Sequence, residues 1–336
     1  MKNRAALGIE GTAHTLGMGV ADCDGKIMSN IRDSYLPPSG SGIHPRDASQ
    51  HHSEVAAKVF EQALQEASIS SRELCLIAFC MGPGMGPCLR TTATVARALS
   101  KYLDIPLVGV NHMLAHIEIG RLVTRTDRPV VLNVSGGTTH IVIHENDRYR
   151  VFGETLDMAI GNAFDFFARE AGIHDPASPW PGPKFDEKAS MGSKYLALPY
   201  LVKGMDLAFS GLVTHALRLV KDGYAIEDVC YSLQETALAM VTEVTERAMA
   251  HTENDALLLT GGFARNKRLR EMLMTMTRER GASFYAVPTE LATDNGAMVA
   301  WTGILQHRYG MSTPIKDSLV RPKWRIEDVR VPWIED

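Results

Sequence analysis

Two histidines stand four residues apart in the stretch Asn111-His112-Met113-Leu114-Ala115-His116-Ile117-Glu118. On a helix that spacing puts both imidazoles on one face, where they can grip a single metal ion. The apolar run 106–110 before them reads as a buried strand, and Asn111 is a good helix N-cap. The pair would sit in the first helical turn at a strand's carboxyl end, where α/β proteins place ligand sites. The chain holds 12 histidines, so the spacing alone carries little weight. Asp294, in Thr293-Asp294-Asn295-Gly296, could supply a third ligand from the start of another helix. It could also be a plain N-cap, and spacing alone favours the cap. Two histidines and one carboxylate would leave positions open for substrate and water, as catalytic metal sites do.

Glycine-bearing turns are the second chemical signal. Gly11-Thr12-Ala13-His14 and Gly137-Thr138-Thr139-His140 share a G-T-x-H pattern, each between two apolar strands. Such turns let backbone N–H groups approach a phosphate, although each in isolation reads more simply as a hairpin. The shared context suggests a duplicated unit. A third break, Gly261-Gly262 after the strand 256–260, leads through Asn266 into a helix from about Lys267. It suits packing a nucleoside against glycine backbone, with Asn266 reaching a ribose or base edge.

The elements that must position these residues follow from periodicity. Strands are expected at 5–9, 16–21, 74–80, 106–110, 130–134, 140–144, 256–260 and 283–287. Asp47–Gln50 fits a capping box for a helix burying Val55, Val59, Phe60, Ala63 and Leu64. Residues 81–87 read as a loop that no helix or strand could absorb. Helices are expected at 91–102, 159–171, 228–251 and from about 293 through Trp301 and Ile304. The tail 315–336 reads as irregular and packed on the first lobe. With 336 residues, two lobes are expected, joined at 121–128: a first of 1–125, with 295–336 packing back on it, and a second of 126–294. A net charge of −4 excludes a global nucleic-acid-binding field. The 45% hydrophobic content is that of an ordinary globular protein, and Cys23, Cys75, Cys80, Cys88 and Cys230 read as reduced thiols. No signal peptide or membrane span is read, so the expected location is cytoplasmic.

Together the three turns resemble the actin/Hsp70/sugar-kinase (ASKHA) superfamily. That likeness implies an α/β fold of two duplicated RNase H-like lobes with an adenine nucleotide in the cleft between them. Seven blocks are more specific. They are Gly8–Thr15, Gly82-Pro83-Gly84 with Pro87–Arg90, Asn111–His116, Val134–Gly137, Phe152–Asp157, Lys203–Asp206 with Phe209–Leu212, and Ala292–Met298. In order along the whole chain they resemble the universal tRNA N6-adenosine threonylcarbamoyltransferase family. The tail, with Val320–Arg325 and Val331-Pro332-Trp333, resembles its archaeal and eukaryotic branch, the catalytic subunit of the KEOPS/EKC complex.

The resemblance implies transfer of threonylcarbamoyl from its mixed anhydride with AMP to N6 of the adenosine 3′ of the tRNA anticodon. It implies His112, His116 and Asp294 as ligands of one divalent metal, iron or zinc, with Asn133 as a possible fourth. It implies an adenylate site of Asn133, Val134, Ser135, Gly136, Gly137, Asp165, Gly182, Asp186 and Asn266. Partners implied are tRNA and KEOPS/EKC subunits, including a small atypical kinase that is fused to this chain in some archaea. The sequence departs from the family at Asn133, where the archaeal branch has tyrosine, at Thr138, at Pro181 and at Asp186.

Local positive charge is densest at Arg265, Lys267, Arg268, Arg270, Arg278 and Arg280. Such a run is more often a solvated helix face than a contact surface. Weak, salt-sensitive tRNA binding is therefore expected, with partners supplying much of the affinity. Two other readings compete. An O-sialoglycoprotein metallopeptidase would use the histidine pair, but Met113 stands where zincins place their glutamate and Glu118 lies at the wrong spacing. A superfamily ATPase or sugar kinase could use Glu10 beside a γ-phosphate, but has no use for a His–His–Asp site.

Overall fold

The computed structural model describes residues 5–38, 42–173 and 180–334. Residues 1–4 and 39–41 of the expected first lobe, 174–179 of the second and the last two of the tail lie outside it. The first half runs β1 (Ala5–Glu10), β2 (Thr15–Asp22), β3 (Ile27–Ser34), α1 (Pro45–Ala67), β4 (Leu74–Gly82), α2 (Gly86–Leu103), β5 (Leu107–Asn111) and α3 (His112–Thr124). Then come β6 (Val130–Val134), β7 (Thr139–Glu145), β8 (Arg148–Glu154), α4 (Ile160–Glu170), α5 (Gly182–Met191), the short pair β9 (Val202–Lys203) and β10 (Asp206–Leu207), and α6 (Ser210–Lys221). The chain ends through α7 (Ile226–His251), β11 (Ala256–Thr260), α8 (Lys267–Glu279), β12 (Ser283–Ala286), α9 (Thr289–Ala292) and α10 (Gly296–Arg308).

Two five-stranded sheets result, ordered β3-β2-β1-β4-β5 and β12-β11-β6-β7-β8. In each, three strands form an antiparallel meander and two more add in parallel beside its first strand. The sheets therefore match strand for strand. The G-T-x-H likeness, however, is out of register. The first turn occupies 11–14 between β1 and β2, while its counterpart occupies 135–138 between β6 and β7. His14 thus precedes β2, whereas His140 lies inside β7 opposite Glu154. The duplication lies in the topology rather than in those four letters.

Strand alternation distributes the core. On β1, Ala5, Leu7 and Ile9 pack with α1 and α2, while Ala6 faces the opposite layer with α3 and α10. On β6 and β11, Val130, Leu132, Leu257 and Leu259 pack towards α4 and α7, and Val131 and Leu258 face the other way. Helix α3 lies between these layers. Its Ala115 and Ile119 join the first sheet's core, and its Met113, Leu114 and Ile117 join a core with Val131 and Leu258. Residues Met113–Gly120 are buried throughout, so the histidine-bearing helix is clamped between the two sheets.

Several expectations need correction. The stretch 81–87 is largely absorbed: β4 runs to Gly82, and α2 begins at Gly86 because Pro87 is well suited to a first turn. Asp47 makes no capping box; α1 starts at Pro45, with Asp47 one turn in. Helix α3 continues to Thr124, shortening the expected link. The tail does not stay with the first sheet. Val320 and Trp324 pack there, but Ile326, Val329, Val331 and Ile334 pack with Val131, Val142 and Tyr149 of the second. No described helix is long and apolar enough to cross a membrane.

Candidate metal and nucleotide site

Asn111 ends β5 and caps α3, its side chain accepting from Met113 N at 3.0 Å and Leu114 N at 3.2 Å. That cap fixes the first turn, so His112 and His116 emerge on one face with ring centroids 4.7 Å apart. Across from them lies Asp294. Its Oδ1 is 3.2 Å from His116 Nε2 and 3.6 Å from His112 Nε2. The cap reading of Asp294 is overturned: Asn295 caps α10 by accepting from Met298 N at 2.9 Å, which leaves the Asp294 carboxylate for the histidines. Ligand atoms of the three residues lie within 4.8 Å of one another.

Behind His112 sits Glu10, fully buried at the end of β1. Its Oε2 is 3.1 Å from His112 Nδ1. Burial alone would raise the Asp294 carboxyl, but His112 and His116 outweigh it and hold the group low. Burial alone would lower His112, yet Glu10 and Asp294 push it up to about 9. Two carboxylates and two imidazoles packed this closely form a site that favours positive charge. His116 Nδ1 is buried with no hydrogen-bond partner among the described residues. Its backbone carbonyl accepts from Thr260 Oγ1 at 3.2 Å, tying α3 to the end of β11.

The adenylate candidates gather around the turn 135–138. Ser135 N donates to Thr138 O at 2.8 Å, and Gly136 and Gly137 are exposed. Helix α4 starts against this turn, with Ile160 N donating to Thr139 Oγ1 at 3.0 Å. One turn along α4, Asp165 accepts the backbone N–H of Gly182, and burial raises its carboxyl. Asp186, one turn into α5, accepts from Gln234 Nε2 at 2.9 Å and Asn266 Nδ2 at 3.1 Å. Burial pushes Asp186 up to about 6 against those hydrogen bonds. Asp165, Gly182, Asp186 and Asn266 are thus one connected group.

Gly261 joins the two regions. Its φ of +92° belongs to the glycine-favouring region, and a Cβ there would lie 2.2 Å from Val134 O. The loop between β11 and α8 therefore presses onto the end of β6. From the first turn, His14 packs on Trp180, two residues before Gly182, with ring centroids 5.0 Å apart and the planes tilted by 54°.

Not every candidate is placed as expected. Asn133 donates to Met113 Sδ at 3.8 Å and its Oδ1 lies against Gly261, so its side chain packs between helix and loop rather than against Asp294. Asn266 is occupied as the cap of α8, accepting from Leu269 N at 2.8 Å, and by Asp186. In the basic run, Arg268 forks onto Glu235, Arg270 donates to Ala264 O, and Arg280 pairs with Glu246. Glu118 is buried, accepting from Arg121 at 2.8 Å and Tyr149 at 3.2 Å, with no part in the histidine site. Glu10 as a neighbour of His112 was the residue the sequence concealed: Glu10 ends β1 and His112 follows β5, and only the parallel pairing of both strands with β4 brings those ends together.

The sequence pattern of the tRNA N6-adenosine threonylcarbamoyltransferase (TsaD) family matches residues 26–301. A tRNA N6-adenosine threonylcarbamoyltransferase of Archaeoglobus fulgidus is 53% identical over 98% of this chain and 99% of its own length. A probable bifunctional tRNA threonylcarbamoyladenosine biosynthesis protein of Methanothermobacter thermautotrophicus is 48% identical over 98% of this chain, which spans 61% of that longer protein. Among solved structures, HypF of T. kodakarensis superposes with a TM-score of 0.64 at 16% identity, covering 95% of this chain and 49% of its own. That likeness concerns the fold alone, the two-sheet ASKHA class.

Proposed function

The chain belongs to the tRNA N6-adenosine threonylcarbamoyltransferase family and acts in tRNA threonylcarbamoyladenosine synthesis, and we propose that His112, His116, Asp294 and the turn 135–138 carry the transfer. The observation that carries this reading is the convergence of His112, His116 and Asp294 between the sheets, with Gly261 linking them to the glycine turn. Two imidazoles and a carboxylate whose ligand atoms lie within 4.8 Å of one another are a donor set for zinc or iron. A divalent metal held there would polarise the carbonyl of the threonylcarbamoyl group.

The chain's own residues do the rest. The exposed amides of Gly136 and Gly137 receive the phosphate of the AMP leaving group without reorganising. Asp165 and Asp186 orient the adenosine end of threonylcarbamoyl-AMP from α4 and α5, with Asn266 at the start of α8 holding Asp186 in place. The adenine N6 of tRNA enters between the sheets, where burial of α3 excludes water. Residues 1–125 and 126–294 serve as the lobes, with the tail strapping them together. A fused second domain in the bifunctional relatives supports a kinase-type partner of the KEOPS kind.

Neither alternative gains support. Glu118 is engaged by Arg121 and Tyr149 and cannot serve a peptidase, and Glu10 faces His112 rather than a phosphate. The test is single-turnover transfer from threonylcarbamoyl-AMP to unmodified tRNA, with and without chelator. Chelator-sensitive product is the expected result. No product, even with KEOPS partners added, overturns the assignment of these residues.

A further inference from the structure

Glu10 is the buried group beside the site that the reaction itself does not use. Three donor groups converge on its two oxygens. Thr12 N and Thr12 Oγ1 donate to Oε1 at 2.8 and 2.5 Å, and His112 Nδ1 lies 3.1 Å from Oε2. A carboxylate offers about four acceptor positions, so most of its capacity is taken. Two consequences follow. First, Glu10, Cys80 and His112 also lie close enough to suggest a second metal site, but here the carboxylate is spent on protein donors. Second, a carboxylate that accepts from Nδ1 forces the proton of a neutral His112 onto Nδ1, leaving the lone pair on Nε2. Nε2 is the atom that faces Asp294.

We propose that Glu10 is a positioning residue: held by Thr12, it locks the ring orientation and Nδ1–H tautomer of His112, presenting Nε2 to the metal. The inference rests on the reading of His112, His116 and Asp294 as the metal site. The Thr12 turn matters as much as the carboxylate, because it connects the Gly11–His14 segment directly to the metal face. The Thr12 amide of that segment is committed to Glu10 and does not face a phosphate. Loss of such a carboxylate partner behind a metal-bound histidine typically weakens metal binding by about 10–100-fold.

The test combines Zn²⁺ affinity, by competition with a chromophoric chelator, with ¹⁵N-histidine NMR of the Zn²⁺-loaded wild-type chain. Glu10→Ala should bind Zn²⁺ about 10–100-fold more weakly. Glu10→Gln, which keeps an acceptor for Nδ1–H, should recover part of that loss. The wild-type spectrum should show His112 protonated at Nδ1 and bound through Nε2, which needs no variant to fold. Glu10→Ala with wild-type affinity, or a His112 bound through Nδ1, overturns the inference. If His116→Ala still loses Zn²⁺ in that case, the metal site itself stands. If the wild type binds no Zn²⁺, the metal site fails, and a neutral His112 in the metal-free chain with its proton on Nε2 would overturn the role of Glu10 independently.

Discussion

At the residue scale the site depends on which atoms are already engaged. His116 holds Thr260 through its backbone carbonyl, a contact that alanine keeps, while its ring faces Asp294. His116→Ala should therefore keep the fold, by circular dichroism, and keep adenylate binding, since Asp165, Asp186 and Asn266 stand on other helices. Transfer should fall to background. Full transfer by this variant would remove the metal from the mechanism. Asp186 supplies a pH signature. Its folded value, about 6, lies above the ordinary 3.8, so the native state holds its proton longer than the unfolded chain. Stability from this group is greatest below about pH 4 and declines as pH rises through 6. Asp186→Asn should flatten that decline and raise stability at pH 7 by about 1–2 kcal/mol, less than the full shift because the group is partly exposed. Urea midpoints from pH 4 to 8 check this, and parallel curves for the two proteins would refute it. Of this residue detail, the histidine spacing and Asp294 as a candidate third ligand were legible in the residues, and the family resemblance named Asp186; the hydrogen bonds that engage them were not legible. Whether Asp294 capped or coordinated turned on its neighbour Asn295, and a one-residue distinction at a helix start is below what patterning resolves.

At the element scale, close packing of α10 sets where Asp294 stands. A Cβ on Gly19 would lie 2.4 Å from Ala297 N and 2.8 Å from Gly296 C, both backbone atoms that cannot swing aside. Gly19→Ala must therefore lift the start of α10 off β2. The expected loss is about 1–3 kcal/mol of stability, read as a lower melting temperature. Because Asp294 lies two residues before α10, Zn²⁺ affinity and transfer should fall as well, with every site residue unchanged. A variant that melts early but binds Zn²⁺ normally would show that α10 does not set the site. The legibility of elements followed burial. Strands β1, β5, β6 and β11 are apolar because they are covered on both faces, and all four were readable. Edge strands β3 and β8 carry Asn30, Arg32, Asp33, Arg148 and Arg150 among their apolar residues and gave no such signal. The glycines and prolines of 81–87 read as breakers in the sequence, whereas Pro87 here falls in the first turn of a helix.

At the scale of the whole molecule, duplicated topology explains why the site lies between the sheets: the carboxyl ends of β1 and β5 meet those of β6 and β11 around α3. The surface beyond it decides how tRNA is held. The chain carries a net charge of −4, and the arginines Arg268 and Arg280 are neutralised by Glu235 and Glu246. Of the basic run, Arg265, Lys267 and Arg278 stand exposed with no ion pair to an acidic side chain among the described residues. If these three are the phosphate contacts, the slope of log affinity against log salt should be about −3, and Kd near physiological salt should be about micromolar or weaker. Replacing all three with glutamine should bring that slope close to zero. Adding KEOPS subunits should steepen the slope, because phosphate contacts then come from more than one chain. Filter binding of unmodified tRNA across 50–300 mM salt measures each case. Tight binding by the chain alone that ignores salt would mean that tRNA is gripped by groups other than these, and that partners are not needed to hold it.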